Sequence, residues 1–183
     1  MRFSISLSLL VTIASTCLST SCNSLGDPLH PQTTSLYNVT DGITQANVQY
    51  ARVRNVVGDN SLITTMVSFS VPSAWKGKQC TLALKTDTCT APKEIDIFTI
   101  LPPGYELPPE TTSYENRRDQ FVGRFVVRGH RIAYWELTSN RGPEFPCPNG
   151  DAVGYELVGV DNMGELTWRV DSAYGPMIVP CSQ

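Results

Sequence analysis

Residues 63–71 read ITTMVSFSV, and the side chains in this stretch alternate between the two faces of an extended chain. Val67 and Phe69 fall on one parity, whereas Thr64 and Ser68 fall on the other. Successive side chains of a β-strand point to opposite faces, so this pattern predicts a strand that buries one face only. Such half-buried strands are typical of antiparallel sheets that pack against a second layer.

The period of two continues on both sides of this stretch. Pro72 ends the strand, and after a turn that contains Trp75 a second strand places Cys80, Leu82 and Leu84 on one face. A cysteine on the core-facing side is positioned to join two sheets. Further strand-like stretches cover residues 48–57, 94–101, 121–127, 132–137, 153–160, 166–170 and 177–179. About eight to ten short strands without an amphipathic helix predict an all-β fold, an antiparallel β-sandwich, with a closed barrel as the alternative.

The turns and the N-terminal region divide the chain further. The clearest hairpin signal is the turn sequence DNMG at 161–164, between two strand-like stretches. Residues 22–42 are polar and show no sustained period, so they predict a flexible N-terminal arm before a single sandwich domain at 43–183. The sequon at Asn38 lies in this arm. We expect it to be exposed and to carry a glycan if the secretory route adds one, the alternative being a chance tripeptide.

Residues 1–21 have the layout of a secretory signal peptide. Arg2 supplies a positive start, residues 5–14 form an apolar run, and small polar residues follow. The apolar run is too short for a stable bilayer-spanning helix, so we expect export without a membrane span. Cys22 borders the predicted cleavage site, but the sequence before it lacks the leucine typical of a bacterial lipid-attachment site.

The cysteines predict a covalent framework. Cys17 would leave with the signal peptide, and Cys22 lies at its boundary. The other four cysteines are Cys80, Cys89, Cys147 and Cys181. In an oxidising exterior they predict two disulfides, with three possible connectivities. No two of them have C-x-x-C spacing, so we expect no metal ion and no other cofactor.

Size and charge narrow the choice of partner. The chain has 183 residues, with 14 basic and 17 acidic side chains and a formal net charge of -3. This balance argues weakly against nucleic acid or an anionic membrane as the main partner. The length left after signal removal fits one domain, and we expect a monomer.

Several short motifs resemble the fungal But-two C-terminal domain family. They are VSFSVP at 67–72, GKQCTL at 77–82, CPNG at 147–150 and LTWRV at 166–170. The resemblance implies an exported or cell-wall-associated fungal protein and supplies no catalytic residues. It also implies a bond between Cys80 and Cys147, which leaves Cys89 with Cys181, although Cys22, if retained, could displace either. The namesake activity, binding an activating enzyme of a ubiquitin-like modifier, is intracellular, so we do not expect it here.

No catalytic motif is present. There is no G-x-S-x-G nucleophile elbow, and His130 is the only histidine within the predicted fold, which excludes a convincing serine triad. A glycosidase needs two carboxylates facing each other across a sugar. The candidates on or beside strands are Glu94, Asp96, Glu136, Glu156 and Glu165. Any sandwich brings carboxylates onto neighbouring strands, so solvated faces are the simpler interpretation.

Two sets of residues are candidates for binding without catalysis. Aromatic residues in predicted loops could form a platform for sugar rings: Trp75, Tyr105, Tyr114 and Tyr174. Arg124 and Arg128 could line one outward strand and bind an anionic glycan or phosphate. The simpler interpretations are loop anchoring for the rings and a charged, solvated edge strand for the arginines.

The sequence therefore predicts a secreted, disulfide-linked β-sandwich without enzymatic activity. We expect it to act outside the cell or in the cell wall, through a cell-wall glycan or an extracellular protein. A secreted polysaccharide hydrolase that uses a carboxylate pair is one alternative. A secreted effector that binds a host protein is the other.

Overall fold

Two antiparallel β-sheets make up most of the described chain. The computed structural model describes residues 27–58, 61–86, 92–101, 118–128, 132–138, 143–170 and 173–181. Within these ranges there are twelve strands and one short 3-10 helix, Ser73–Trp75. The strands are β1 Thr33–Asn38, β2 Ile43–Gln45, β3 Tyr50–Asn55, β4 Ile63–Ser70, β5 Gln79–Lys85, β6 Lys93–Ile100, β7 Arg118–Val127, β8 Tyr134–Thr138, β9 Glu144–Pro146, β10 Ala152–Gly159, β11 Gly164–Arg169 and β12 Gly175–Cys181.

The strands form a large sheet and a small sheet. The large sheet has the order β11-β3-β4-β10-β6-β7-β8, and the β1–β2 hairpin joins it alongside β4. The small sheet has the order β12-β5-β9. Leu29 extends the small sheet by pairing with Ile178 of β12 through two backbone hydrogen bonds of 2.8 and 3.0 Å. The antiparallel all-β architecture predicted from the alternating pattern is confirmed.

The inward faces of the sheets meet in one apolar core. Phe69 of β4, Leu82 of β5 and Ile178 of β12 are at most 1% exposed, as the alternation in the sequence predicts. Trp168 closes one end of this core against Gly175. Gly175 has a φ of +102°, and a Cβ there would come within 2.4 Å of the indole nitrogen, so only glycine fits.

A disulfide joins Cys80 and Cys147, whose Cα atoms are 5.0 Å apart. This is the pairing that the family resemblance implies. Cys80 lies on β5 and Cys147 follows β9, which pairs with β5, so the bond lies within the small sheet. The expectation that Cys80 joins two sheets was therefore wrong, because its partner Cys147 directly follows β9, the strand next to β5 in the same sheet. Cys181 is also disulfide-bonded, and Cys89 lies outside the described residues.

The large sheet begins earlier in the chain than the sequence predicts. Residues 33–38 fall within the predicted flexible arm, yet β1 pairs with β4 over its whole length. Thr34 and Tyr37 are 3% and 4% exposed. The strand TTSLYN was missed because its buried positions include a threonine and do not alternate as apolar and polar residues. The predicted signal peptide at 1–21 lies outside the described residues.

The turn at 161–164 does not close a hairpin. Asp161 and Gly164 have the positive φ angles, 45° and 77°, that a tight turn uses. However, β11 pairs with β3, whereas β10 pairs with β4 and β6. Asn162 holds the turn against β3 by accepting a hydrogen bond from the backbone N–H of Val57. The hairpin prediction was wrong because the turn residues fix local geometry but not the neighbour of the next strand.

Burial of Tyr155 makes the free energy of unfolding depend on pH in the alkaline range. Desolvation raises the pKa of Tyr155 from 10.0 to about 12. Because folding favours the neutral phenol, this contribution is complete below pH 10 and is lost as the pH rises through about 12. We expect the free energy of unfolding to fall by up to about 2 to 3 kcal/mol across this range and Tyr155→Phe to remove that fall.

Urea unfolding at neutral and alkaline pH measures this effect. Tyr50→Phe is the control, because it removes the hydroxyl of a tyrosine that is 60% exposed. An unchanged slope in Tyr155→Phe would show that another group causes the alkaline loss.

Candidate functional site: a groove over the small sheet

A buried carboxylate on β10 is held by an arginine. Glu156 is 0% exposed, and Arg118 donates to its two carboxylate oxygens at 2.8 and 3.0 Å. Thr64 donates a third hydrogen bond to the same carboxylate at 2.8 Å. The hydrogen bond to Glu156 raises the pKa of Arg118, against the lowering effect of burial. Arg118 also lies over the ring of Phe98, 4.6 Å from its centroid, so its charge is held between an anion and a π-face.

A second arginine holds two carboxylates of β6. Arg124 donates to Asp96 at 2.7 and 3.1 Å and to Glu94 at 3.1 Å. The hydrogen bond to Asp96 raises the pKa of Arg124. Glu165 is likewise paired, with Arg54 at 2.8 Å. These carboxylates lie in ion pairs along strand faces, which is not the arrangement of two acids facing each other across a sugar.

The ion pairs also change the interpretation of the predicted arginine patch. Arg124 forms ion pairs with Asp96 and Glu94. Arg128, directly after β7, also has an interaction partner. The charge of Arg124 is therefore compensated within the sheet. The sequence could not reveal this, because the partners of Arg124 lie on a neighbouring strand.

The predicted aromatic platform is not assembled by its described members. Trp75 lies in the 3-10 helix after β4, half-buried against the core. Tyr174 directly precedes β12, also packs against the core, and has the Lys85 ammonium 5.3 Å from its ring centroid. The end of β4 and the start of β12 lie at opposite ends of the sandwich, so these rings are far apart. Tyr105 and Tyr114 lie outside the described residues.

The outward face of the small sheet carries a groove of about 370 Å³, hereafter the small-sheet groove. Its floor consists of Ala83 of β5 and of Met177 and Val179 of β12, three side chains that cluster together and are at most 8% exposed. Trp135 of β8 forms part of one wall and stacks on Phe125, with ring centroids 4.0 Å apart. The sequence did not predict this groove. β12 has apolar residues on both faces, which indicates that both faces are buried, but the sequence does not show what packs against the outward face.

Lys85 is the one Lys, Arg, Asp or Glu among the described lining residues of the small-sheet groove. Lys85 and His30 line it, and its described lining contains no aspartate or glutamate. Thr81 also lines it, but the Thr81 hydroxyl is bound to the carbonyl of Pro143 at 3.0 Å. Among the described lining residues, the groove therefore presents an apolar floor with one lysine and no carboxylate.

A second groove of about 590 Å³ lies on the large sheet beside β1 and β10. Threonine and serine hydroxyls line it together with apolar side chains. Several of these hydroxyls are already engaged: Thr33 with Ser68 at 2.5 Å, and Thr99 with the backbone N–H of Gln120 at 3.0 Å. They are less available to a ligand than the groups of the small-sheet groove.

Comparison with protein-family models finds no match for this chain, and no curated protein matches it either. The resemblance to the But-two C-terminal domain family therefore stays a prediction. In the part of the chain that the structure describes, no helix is long and apolar enough to cross a membrane. The same residues contain no group of three or more His, Cys, Asp or Glu side chains that could hold a metal ion.

Proposed function

We propose that this chain is a secreted protein without enzymatic activity that binds a second extracellular protein through the small-sheet groove. The observation that carries the proposal is the apolar floor of that groove, which Lys85 borders and whose described lining residues include no carboxylate. Concave apolar surfaces with a few polar groups are the usual sites of ligand and partner binding. The expected partner presents an apolar side chain next to an acidic one.

A protein partner fits the groove better than a glycan does. Sugar rings bind to exposed aromatic faces surrounded by free hydrogen-bonding groups. Trp135 is the one aromatic ring among the described lining residues, and that ring already packs on Phe125. An aliphatic floor such as Met177 and Val179 instead suits the side chains of another protein.

The ion-paired carboxylates support a role without catalysis. A glycosidase of the predicted kind needs one acid that can give up a proton and a second that faces it. Glu94, Asp96, Glu156 and Glu165 each have an arginine partner. We place the protein at the fungal cell surface or in its surroundings, and a host protein is included among the possible partners.

A peptide-display experiment tests the proposed binding. The probe is a library of random linear peptides selected on the purified mature protein, and we expect enrichment of sequences that combine apolar residues with aspartate or glutamate. Ala83→Arg places a cation over the apolar floor and should weaken the selected peptides at least tenfold, about 1.4 kcal/mol. Thr167→Arg is the matched control, because Thr167 is exposed on β11 and does not line the groove.

Two outcomes would contradict the proposal. Peptides that bind equally well to the Ala83→Arg protein would show that the groove is not the site. Incubation with chitin, glucan and mannan should give neither retention nor soluble sugar. Release of sugar that a single Asp or Glu substitution abolishes would establish a hydrolase instead.

Asn38 is the proposed site of N-glycosylation. Asn38 ends β1 at the turn into β2, and its side chain donates to Asp41 at 2.7 Å. Thr40 is exposed. We expect the protein from a fungal secretory host to lose mass on treatment with peptide N-glycosidase, and Thr40→Ala to abolish that shift. An equal mass with and without the enzyme would mean that the site is unused.

A further inference from the structure

We infer that Cys181 forms its disulfide with Cys22, which ties the N-terminal segment to the end of β12. Cys181 is disulfide-bonded, and its partner lies outside the described residues, because Cys80 and Cys147 bond each other. The remaining cysteines are Cys17, Cys22 and Cys89. The assignment rests on strand register and does not depend on the proposed function.

The register of the small sheet separates Cys89 from Cys181. Lys85 lies opposite Gly175, whereas Cys181 lies opposite Gln79 at the other end of β5. At about 3.3 Å per residue, β12 places Cys181 about 20 Å from the level of Lys85. Cys89 comes four positions after Lys85, which gives a reach of at most about 14 Å when fully extended.

The chain after Cys89 must also return to the start of β6. Ile95 of β6 lies opposite Gly159, at the end of β10 that is remote from Ala152. Lys93 lies opposite Val127, the neighbouring Val126 lies opposite Tyr134, and Ile132, just before Tyr134, forms a bridge with Lys85. Lys93 therefore lies at the same end of the sandwich as Lys85, away from Cys181. A disulfide needs Cα atoms within about 7 Å. A bond from Cys89 would therefore need residues 85–89 and 89–93 to run fully extended along the sheet and back, which leaves no residue for the turn between them.

The N-terminal segment approaches Cys181 from the other side. Leu29 and Ile178 exchange two backbone hydrogen bonds in an antiparallel bridge, so the chain before Leu29 runs towards Cys181. Cys181 lies about 10 Å beyond Ile178 along β12. Cys22 precedes Leu29 by seven positions, which can span up to about 24 Å. Cys22 is therefore within reach, and Cys17 belongs to the predicted signal peptide.

The bond forms by ordinary thiol oxidation. The Cys22 and Cys181 thiols lose two protons and two electrons to a disulfide oxidant such as oxidised glutathione, which becomes two thiols. In a chain cleaved before Cys22, this pairing leaves Cys89 as the single free thiol. The bond would also anchor Pro28 and His30, which line the small-sheet groove.

Peptide mapping of the secreted protein tests the assignment. Trypsin places the cysteines of the mature chain in separate peptides, because lysine or arginine lies between each pair. After alkylation without reduction, we expect peptide 22–52 linked to 170–183, and the alkyl group on peptide 86–93. A link between 86–93 and 170–183 would overturn the assignment, as would a link from a peptide that contains Cys17.

Two variants distinguish this pairing from its alternatives. Cys22→Ser should add a second alkylated thiol, at Cys181, while the bond between Cys80 and Cys147 remains. Cys89→Ser is the matched control and should keep the 22–52 to 170–183 link while losing all alkylation. If Cys89 bonds Cys181 in the Cys22→Ser protein, the reach argument is wrong. If Cys22→Ser is not secreted, the disulfide-linked peptides of the protein without substitutions still test the assignment.

Discussion

Replacing Cys80 and Cys147 together by alanine is expected to lower the free energy of unfolding by about 4 kcal/mol. The bond joins residues 67 positions apart, and both sulfur atoms lie in side chains that are at most 6% exposed. A cross-link over a loop of this length restricts the unfolded chain strongly, so its removal restores entropy to the unfolded state. The double replacement avoids leaving one buried thiol free to form a new bond.

Urea denaturation of the two purified proteins measures this difference. Because the bond of Cys181 is present in both, the change reports the Cys80–Cys147 bond alone. A steeper dependence on urea in the variant would show a more expanded unfolded chain, as the entropic account requires. A loss below about 1 kcal/mol would mean that the unfolded chain is compact even without the bond.

Replacing Arg118 by alanine is expected to cost about 3 to 5 kcal/mol. The substitution leaves Glu156 fully buried with its charge uncompensated, and Thr64 alone cannot replace two charged hydrogen bonds. The guanidinium side chain of Arg118 is 32% exposed, so the penalty comes mainly from the carboxylate. Thermal unfolding of the purified variant measures the loss.

Two further variants show whether the cost comes from the buried charge. Arg118→Met combined with Glu156→Leu removes both charges and should recover most of the stability. Arg52→Ala breaks an exposed pair, in which Arg52 lies 3.8 Å from Glu165, and should cost about 0 to 1 kcal/mol. If the double variant is as unstable as Arg118→Ala, then packing rather than charge explains the effect.

Alternation along the strands was enough to predict the layers of this fold. It placed Phe69, Leu82 and Leu84 on the core side, where all three are buried. It failed for β1, because Thr34 is buried through its sheet neighbours and not through its own hydrophobicity. The burial of such a strand depends on its neighbours in the sheet, so its own sequence gives little indication of that burial.

The contacts of the candidate site depended on register, which the sequence does not contain. The β6–β7 pairing contains register shifts between Ile97 and Ile100. The contacts of Arg124 with Asp96 and of Arg118 with Glu156 therefore could not be predicted from residue spacing alone. The groove depends on which strand lies beside β5. Residue type alone located the turn at Asp161 but not the partner of β11.

The pairing of β5 with β12 has a consequence for synthesis. Lys85 pairs with Gly175 about 90 residues later in the chain, and contacts between such distant residues slow folding. β5 therefore leaves the ribosome long before β12 has been synthesised. Until then, the apolar inward side chains of β5 stay exposed. A nascent chain in that condition is a substrate for chaperones, and we expect expression yield to depend on their supply.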